Sequence, residues 1–337
     1  MSLFQFTVRR LLMTIPVLLG VTILTFLMSR VVPGDPARLA AGPQASQEMV
    51  AQIRSEYGLD DALPIQYWHY LAGLFRGDWG DSLLTRHAVI DDLGSYWPAT
   101  FELVLVSMLI AIAVGLPLGI LAAVRADRFA DQASRLVSLL GVSVPAFWLA
   151  LLLQLFFGLQ LGWLPVSSRL PTLTTPPESI THLYLIDSLL TGNRSTFTAA
   201  LSHIILPAAT LSLASLATIA RFTRASLLEV LGNDYVRTAR AKGLSERKVI
   251  WRHALRNAFI PTLTMIGLSF GWAMGGSVLV ETVYDWPGIG LYATSSALTL
   301  DFNPIMGIAL LYGIVFSLIN IAVDISYGLL DPRVSNA

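Results

Sequence analysis

Few side chains in this 337-residue chain could do covalent chemistry, and most can be set aside one by one. Cysteine is absent, which removes disulfides, thiol nucleophiles and thiolate metal sites. The only lysines are Lys242 and Lys248, and neither follows a glycine or precedes serine or threonine. A phosphate-cradling GxxxxGK(S/T) loop is therefore missing. Gly267-Leu268-Ser269-Phe270-Gly271 has the GxSxG spacing of a nucleophilic serine. It lies inside an apolar run, however, where small residues serve helix packing. The candidate bases His69, His87, His182, His203 and His253 fall in or beside the polar segments, at other depths. No His/Met cluster suggests bare metal handling, so no catalytic or metal residues are assigned. Arginine and lysine are the exception to this sparseness. Nine of the 22 fall between Arg221 and Arg256, with apolar stretches on both sides.

The element that must carry this charge is Asp234 to Pro261, DYVRTARAKGLSERKVIWRHALRNAFIP. Its apolar residues fall at helical spacing in two sets, Val236 and Ala239, then Val249, Ile250 and Ala254. Gly243 separates them and can end a helix in a left-handed conformation, with Ser245 placed as N-cap of the next. The spacing predicts a cationic helix–Gly–helix that presents its polar face to a partner.

Around it the chain is oily: 54% hydrophobic, 13% charged, mean hydropathy +0.64. Such a composition is that of a membrane protein rather than a soluble domain. Net charge is zero, which gives no general field for nucleic acid. Six apolar runs suit spans of ~20 residues: about Leu11–Met28, Phe101–Val124, Leu136–Leu161 with Pro145 inside, Ile204–Ile219, Ile260–Val280 and Ile305–Leu330. Fifteen of the 22 Lys/Arg, Arg333 included, fall on the side of the termini and central loop, and seven on the other. The positive-inside rule then predicts that both termini are cytoplasmic. Two outer segments exceed simple turns. Residues 31–100 carry PGDP and two amphipathic pieces ended by Gly58, Gly77 and Gly80, which reads as a helical cap. Residues 162–201, rich in Pro, Thr and Ser, read as an irregular lid.

RRLLMTIPVLLGVTILTF, PGDP, YGLDDALPIQYWHYLAGLFRGDWGDSL, VPAFWLALLL, LGWLPVSSR, EVLGNDYVRTARAKGL, HALRNA and ETVYDWPGIG follow one another along nearly the whole chain. In that order they resemble the inner-membrane permease subunits of peptide-family ABC importers (the dipeptide/oligopeptide/nickel group), and especially the dipeptide B-type subunit. The resemblance implies an all-α type I importer permease fold of about six spans. It divides the chain into a first helix (1–30), an external helical loop domain (31–100) and a transmembrane core (101–337) with a coupling loop at 223–258. It implies a cell inner-membrane location and uptake of short peptides, dipeptides first, with oligopeptides, glutathione, nickel complexes or haem-like ligands as alternatives. An ion-coupled secondary transporter is the alternative of another class. The implied partners are a second homologous permease in a heterodimer, two ABC ATPases, a periplasmic or lipid-anchored solute-binding protein, and membrane lipid, with no nucleic acid. The chain itself would bind no cofactor, ATP and Mg being used by the partner ATPases.

The resemblance places the ATPase-coupling contacts at Asp234, Tyr235, Arg237, Thr238, Ala239, Arg240, Ala241, Lys242, Gly243, Leu244, His253, Ala254, Arg256 and Asn257. Here Arg237-Thr238-Ala239 stands where the general family motif has Glu-Ala-Ala, and Pro261 lies farther downstream than in that motif. A solvated basic loop that only sets topology is the plainer reading of the same charge. A second signature, Glu281, Asp285, Trp286, Pro287, Gly288 and Gly290, admits two readings. It is an outer gate or binding-protein contact with Trp286 at the interface, or a structural turn packed against the neighbouring span. Three lesser expectations concern isolated groups. Asp324, inside the last span, should pair with an arginine or reach interfacial water. Glu102 should sit at a helix N-terminus and be explained by its dipole. Pro145, Pro207 and Pro261 should be kinks.

Overall fold

A computed structural model describes residues 3–31, 35–42 and 44–330. Pro33, Gly34 and Arg333, which enter the sequence argument, lie outside the described residues. Among the described residues the chain is helical, with one isolated β-bridge between Asp81 and Ala88. The helices are α1 (Leu3–Val31), α2 (Pro36–Ala41), α3 (Gln47–Glu56), α4 (Leu63–Arg76), α5 (Val89–Val124), α6 (Phe129–Ser143) and α7 (Ala146–Leu153). They continue as α8 (Tyr184–Leu190), α9 (Arg194–Leu231), α10 (Asp234–Ala241), α11 (Glu246–Lys248), α12 (Leu255–Val283), α13 (Ile289–Leu298) and α14 (Phe302–Leu330).

Among the described residues five helices are long and apolar enough to cross a membrane, and a bent pair makes a sixth when it is counted as one span. That pair is α6 with α7, which runs on in a π-helical stretch to Gln160 and is bent 104° from α6. The sequence reading of one continuous span with a kink is thereby corrected. Pro145 donates no N–H and bars its predecessor from helical geometry; Val144 is extended (φ −81°, ψ 122°) and the helix stops. By contrast Pro207 and Pro261 lie inside unbroken α9 and α12. The second and fourth spans are also longer than their apolar runs, starting at Val89 and Arg194, because polar residues extend both helices beyond the oily core on the outer side.

The core is α5, α9 and α12, whose buried faces share one cluster around Leu103, Met108, Ile204, Ile219, Met274 and Val280. Gly115 and Gly119 let α5 lie against the α9 backbone; a Cβ there would meet the Leu216 and Ala220 carbonyls at 2.8 and 2.6 Å. The two glycines of the GxSxG match do the same for α12 on α14, facing Val323 and Phe316. That pattern is helix packing.

α1 packs on α14, and Arg10 reaches the half-buried Asp324 at 3.0 Å, the pairing expected of that acid. Helices α2–α4 form a cap at the C-terminal end of α1. Asp35 caps α2 through Ala37 N (3.1 Å) and pairs with Arg54 of α3 (2.6 Å). Thr22, Phe26 and Arg30 at the outer end of α1 then meet Tyr67, Tyr70 and Gln66 of α4.

Candidate functional site

The basic segment folds as its periodicity dictates. α10 ends at Lys242, Gly243 turns the chain at φ +74°, and the second helix starts at Glu246. Ser245 occupies the N-cap position but its hydroxyl makes no capping bond, so the turn rests on glycine. The second helix is not short. It passes through a π-helical stretch, Val249–Ala254, straight into α12. Val236, Ala239, Val249, Ile250 and Ala254 are all buried. Val236, Ala239 and Val249 close on Val230, Leu231 and Leu244, while Ala254 packs with Ala123, Leu227 and Ala258. Ala239 and Ala254 thus face inward. Their small size lets α10 lie on the π-helical stretch and that stretch on α9, and the exposed surface belongs to other residues.

That surface is Asp234, Tyr235, Arg237, Thr238, Arg240, Ala241, Lys242, Gly243, Arg256 and Asn257, all exposed, with Leu244 and His253 half-buried. Arg240 bonds Glu246 at 2.7 Å, Arg237 approaches Asp234 at 3.5 Å, and Asn257 donates to the Tyr235 hydroxyl at 2.8 Å. The hydrogen bonds to Glu246 raise the Arg240 pKa further and lower that of its partner, so both stay charged. Lys242, Arg247, Lys248, Arg252 and Arg256 have no carboxylate partner among the described residues. The loop is cationic, and five of its seven cations from Arg237 to Arg256 have no carboxylate partner among the described residues. Behind it the Ser226 hydroxyl donates to the Ala258 carbonyl (2.9 Å), tying α9 to α12. Arg224 of α9 and Arg135 of α6 both clamp the buried Asp131 (2.5 and 2.8 Å).

The outer signature is a knot at the start of α13. Glu281 is the last-turn residue of α12 and fully buried. It accepts from the Thr100 hydroxyl (2.8 Å), Gly290 N (2.7 Å) and Leu291 N (3.2 Å), so a carboxylate satisfies the free N–H groups of α13. The Thr100 hydroxyl accepts in turn from Ile289 N at 2.7 Å. Trp286 is 1% exposed and donates its indole N–H to the Ala99 carbonyl at 3.0 Å. The interfacial placement expected for Trp286 is therefore corrected: its apolar ring and its N–H are both satisfied inside the bundle. A Cβ on Gly290 would lie 2.5 Å from the Val278 Cα, so helix α13 could not approach. Gly288 is buried as well. Asp285 and Pro287 alone of the six are exposed, at the tip.

Sequence reasoning missed the groups beside this knot. Glu102 is not at a helix start, because α5 begins at Val89; it is buried and paired with Arg169 at 2.6 Å. It also accepts from Leu185 N (2.7 Å), while the Arg169 guanidinium lies 3.5 Å from the Tyr184 ring centroid. The His203 ring bonds the carbonyls of Ser167 and Ser168, and Ser168 N donates to the Tyr284 carbonyl. The outer lid is pinned to α5, α9 and α12 at three points. Nearby, Asp92 accepts from Tyr292 (2.8 Å) and Thr85, and Asp301 from Ser82 (2.7 Å), fixing the 81–87 loop. A lone charge in an apolar run, such as Glu102, with an arginine in the next outer loop was the available signal.

Comparison with known proteins gives this architecture its context. The family model described as binding-protein-dependent transport system inner membrane component matches residues 115–336, and its N-terminal companion matches residues 3–103. A probable D,D-dipeptide transport system permease of Escherichia coli K12 is 44% identical over 94% of both chains. A dipeptide transport system permease of Alkalihalophilus pseudofirmus is 40% identical, covering 98% of this chain and 99% of its own. The glutathione transport system permease of Escherichia coli K12 is also 40% identical at the same coverage. The fold is similar to a chain of the inward-facing methionine ABC transporter MetNI (TM-score 0.52, 16% identity, 69% of this chain and 93% of that one). These relatives replace the ion-coupled alternative, and permeases of this kind are not themselves catalytic. The helical permease fold is what the chain shares with that structure. The chain belongs to the family of inner-membrane components of binding-protein-dependent ABC transport systems.

Proposed function

We propose that this chain is one of two permease subunits of an importer of short peptides, driven by ATP hydrolysis on two partner subunits and fed by a solute-binding protein. The observation that carries the reading is the α10–Gly243–α11 surface. Five unpaired cations, Lys242, Arg247, Lys248, Arg252 and Arg256, stand on this turn and the helix after it, whose inner side packs on α9 and runs into α12. A partner with an acidic groove gains from each charge, and any displacement of the turn must move both long helices. ATP binding would close the partners, push on Asp234–Asn257 and open the outer side around the Glu281 knot and lid; hydrolysis would reset it. In this reading the loop and both termini are cytoplasmic, ATP and Mg belong to the partners, and Asp285 and Pro287 face the binding protein. Relatives named for dipeptides and for glutathione support a short peptide as the cargo.

The test is co-purification from gently solubilised membranes, native against Gly243→Asp, followed by dipeptide uptake in vesicles supplied with the binding protein. Retention of a second permease and two ATPases by the native chain, with the ATPases lost in the variant, is the expected result. A native chain that purifies alone refutes the coupling account. An intact complex that imports no di- or tripeptide refutes the cargo.

A further inference from the structure

A groove of about 450 Å³ opens between α6 and the inner half of α9, and the cycle above makes no use of it. Its charge is one-sided. Arg135 and Arg224 share the carboxylate of Asp131, and Arg135 also reaches Asp127 at 3.2 Å. Arg221, exposed one turn before Arg224, has no carboxylate partner among the described residues. Three guanidiniums therefore face two carboxylates, and Arg221 is the unmatched one. Ser134 and Ser138 line the same groove, are only 5% and 9% exposed, and make no hydrogen bond among the described residues. A buried helical hydroxyl ordinarily returns to a carbonyl of the preceding turn, as Ser107 does to Leu103 (2.6 Å). Two idle hydroxyls beside an unmatched arginine suit an anion with several acceptor oxygens.

The groove also has an apolar side. Leu139 and Val142 line it, and Leu136 and Leu140 stand exposed on the same helix. A soluble anion gains nothing from that stripe, whereas a molecule with a phosphate at one end and a hydrocarbon chain at the other satisfies both halves. We infer that the α6–α9 groove binds an anionic phospholipid, its phosphate on Arg221, Ser134 and Ser138 and an acyl chain along Leu136–Val142. The inference rests on the proposed orientation, which puts this groove in the cytoplasmic leaflet. Its consequence is mechanical. Lipid held between α6 and α9, beside the Asp131 clamp and just above α10, fixes the spacing of the helices that the coupling loop must move.

The test is native mass spectrometry of the assembled complex, titrated with phosphatidylglycerol or with phosphatidylcholine of the same chains. The native protein should retain phosphatidylglycerol preferentially. Arg221→Gln should weaken that retention about fivefold, the equivalent of ~1 kcal/mol for one arginine near the membrane surface. Arg221→Lys should keep most of it, and Ser134→Ala with Ser138→Ala should lower it with no change of charge. Equal retention of the two lipids, or retention indifferent to Arg221→Gln in a folded complex, overturns the inference. So does displacement of the lipid by millimolar dipeptide, which would make the groove part of the cargo path. The readout is binding, so a complex that fails to transport peptide still answers the question.

Discussion

Replacing Glu102 by Gln removes one charge and almost no volume, and it should be among the most damaging single changes outside the coupling loop. Gln keeps an oxygen for Leu185 N but sets an amide against the Arg169 guanidinium, whose side chain is 8% exposed. Breaking a buried pair by removing one partner costs about 3–5 kcal/mol, mostly from the stranded charge. The Tyr184 ring over Arg169 survives the change and holds part of that charge, at ~1–2 kcal/mol, so the lower figure applies. A loss of about 3 kcal/mol corresponds to roughly 6 °C in the unfolding midpoint. Glu102→Gln with Arg169→Met removes both charges and should recover at least half of this loss. The assay is scanning fluorimetry of the purified chain for the full double-mutant cycle, with proteolysis of residues 162–183 as a local readout. Single changes that each cost under ~1 kcal/mol and simply add in the double variant would refute the reasoning, since that is how a water-screened surface pair behaves.

The remaining predictions separate docking from folding. Gly290→Ala should sharply lower the yield of folded protein, because its methyl meets the Val278 backbone, while Gly275→Ala, with nothing within 4 Å, should be neutral by thermal melt. Gly243→Ala meets no atom either and should cost only ~1 kcal/mol from its left-handed backbone, measurable as a small shift in midpoint with the ATPases still bound. Lys248→Glu with Arg252→Glu should leave the melt unchanged and abolish ATPase co-purification; retention of the ATPases at low salt would show that the charge is not what docks. In the lid, burial pushes the Asp187 carboxyl up, but bonds from the Thr181 hydroxyl and amide and from Ile180 N outweigh it and hold it below its ordinary value. A depressed pKa contributes stability above the unfolded value of 3.8 and loses it as pH falls through the lower folded one. Hydrogen exchange at Thr181 should therefore accelerate below about pH 4 in the native chain, and at neutral pH already in Asp187→Asn.

The spans and the turn at Gly243 were legible because both rest on local rules. Apolar runs of sufficient length must be helical in lipid, and the Val236/Ala239 and Val249/Ile250/Ala254 spacing left one face for each helix. The break at Val144 could have been read from Pro145, but the apolar residues on either side masked it. Glu102 was misread because its partner lies 67 positions away, and nothing local says that α5 begins thirteen residues earlier. Trp286 failed for a related reason. An aromatic beside Pro-Gly suits an interface on average, and only the Ala99 carbonyl of a distant helix makes it a core residue. Helix existence is written in periodicity, whereas polar partnerships between helices are written in the packing.

The long helix α9 joins those two kinds of information. Its 38 residues span about 57 Å, enough to run from the lid to the coupling turn. At the outer end His203 holds the Ser167 and Ser168 carbonyls, and Thr210 bonds the Tyr284 hydroxyl at 3.0 Å. At the inner end Arg224 holds Asp131 and Ser226 holds Ala258. All four ties are directional, and the buried Thr210–Tyr284 and Ser226–Ala258 bonds have no water at hand to replace them. A displacement of α10 by a bound ATPase therefore moves α9 as a rod rather than bending it, and the outer ties are the ones that must exchange partners. If so, Thr210→Val, which keeps the volume and deletes the bond to Tyr284, should uncouple the ends. ATPase binding and the melt should persist while stimulation of hydrolysis by loaded binding protein falls. Stimulation at the native level in Thr210→Val would place the moving joint elsewhere than α9.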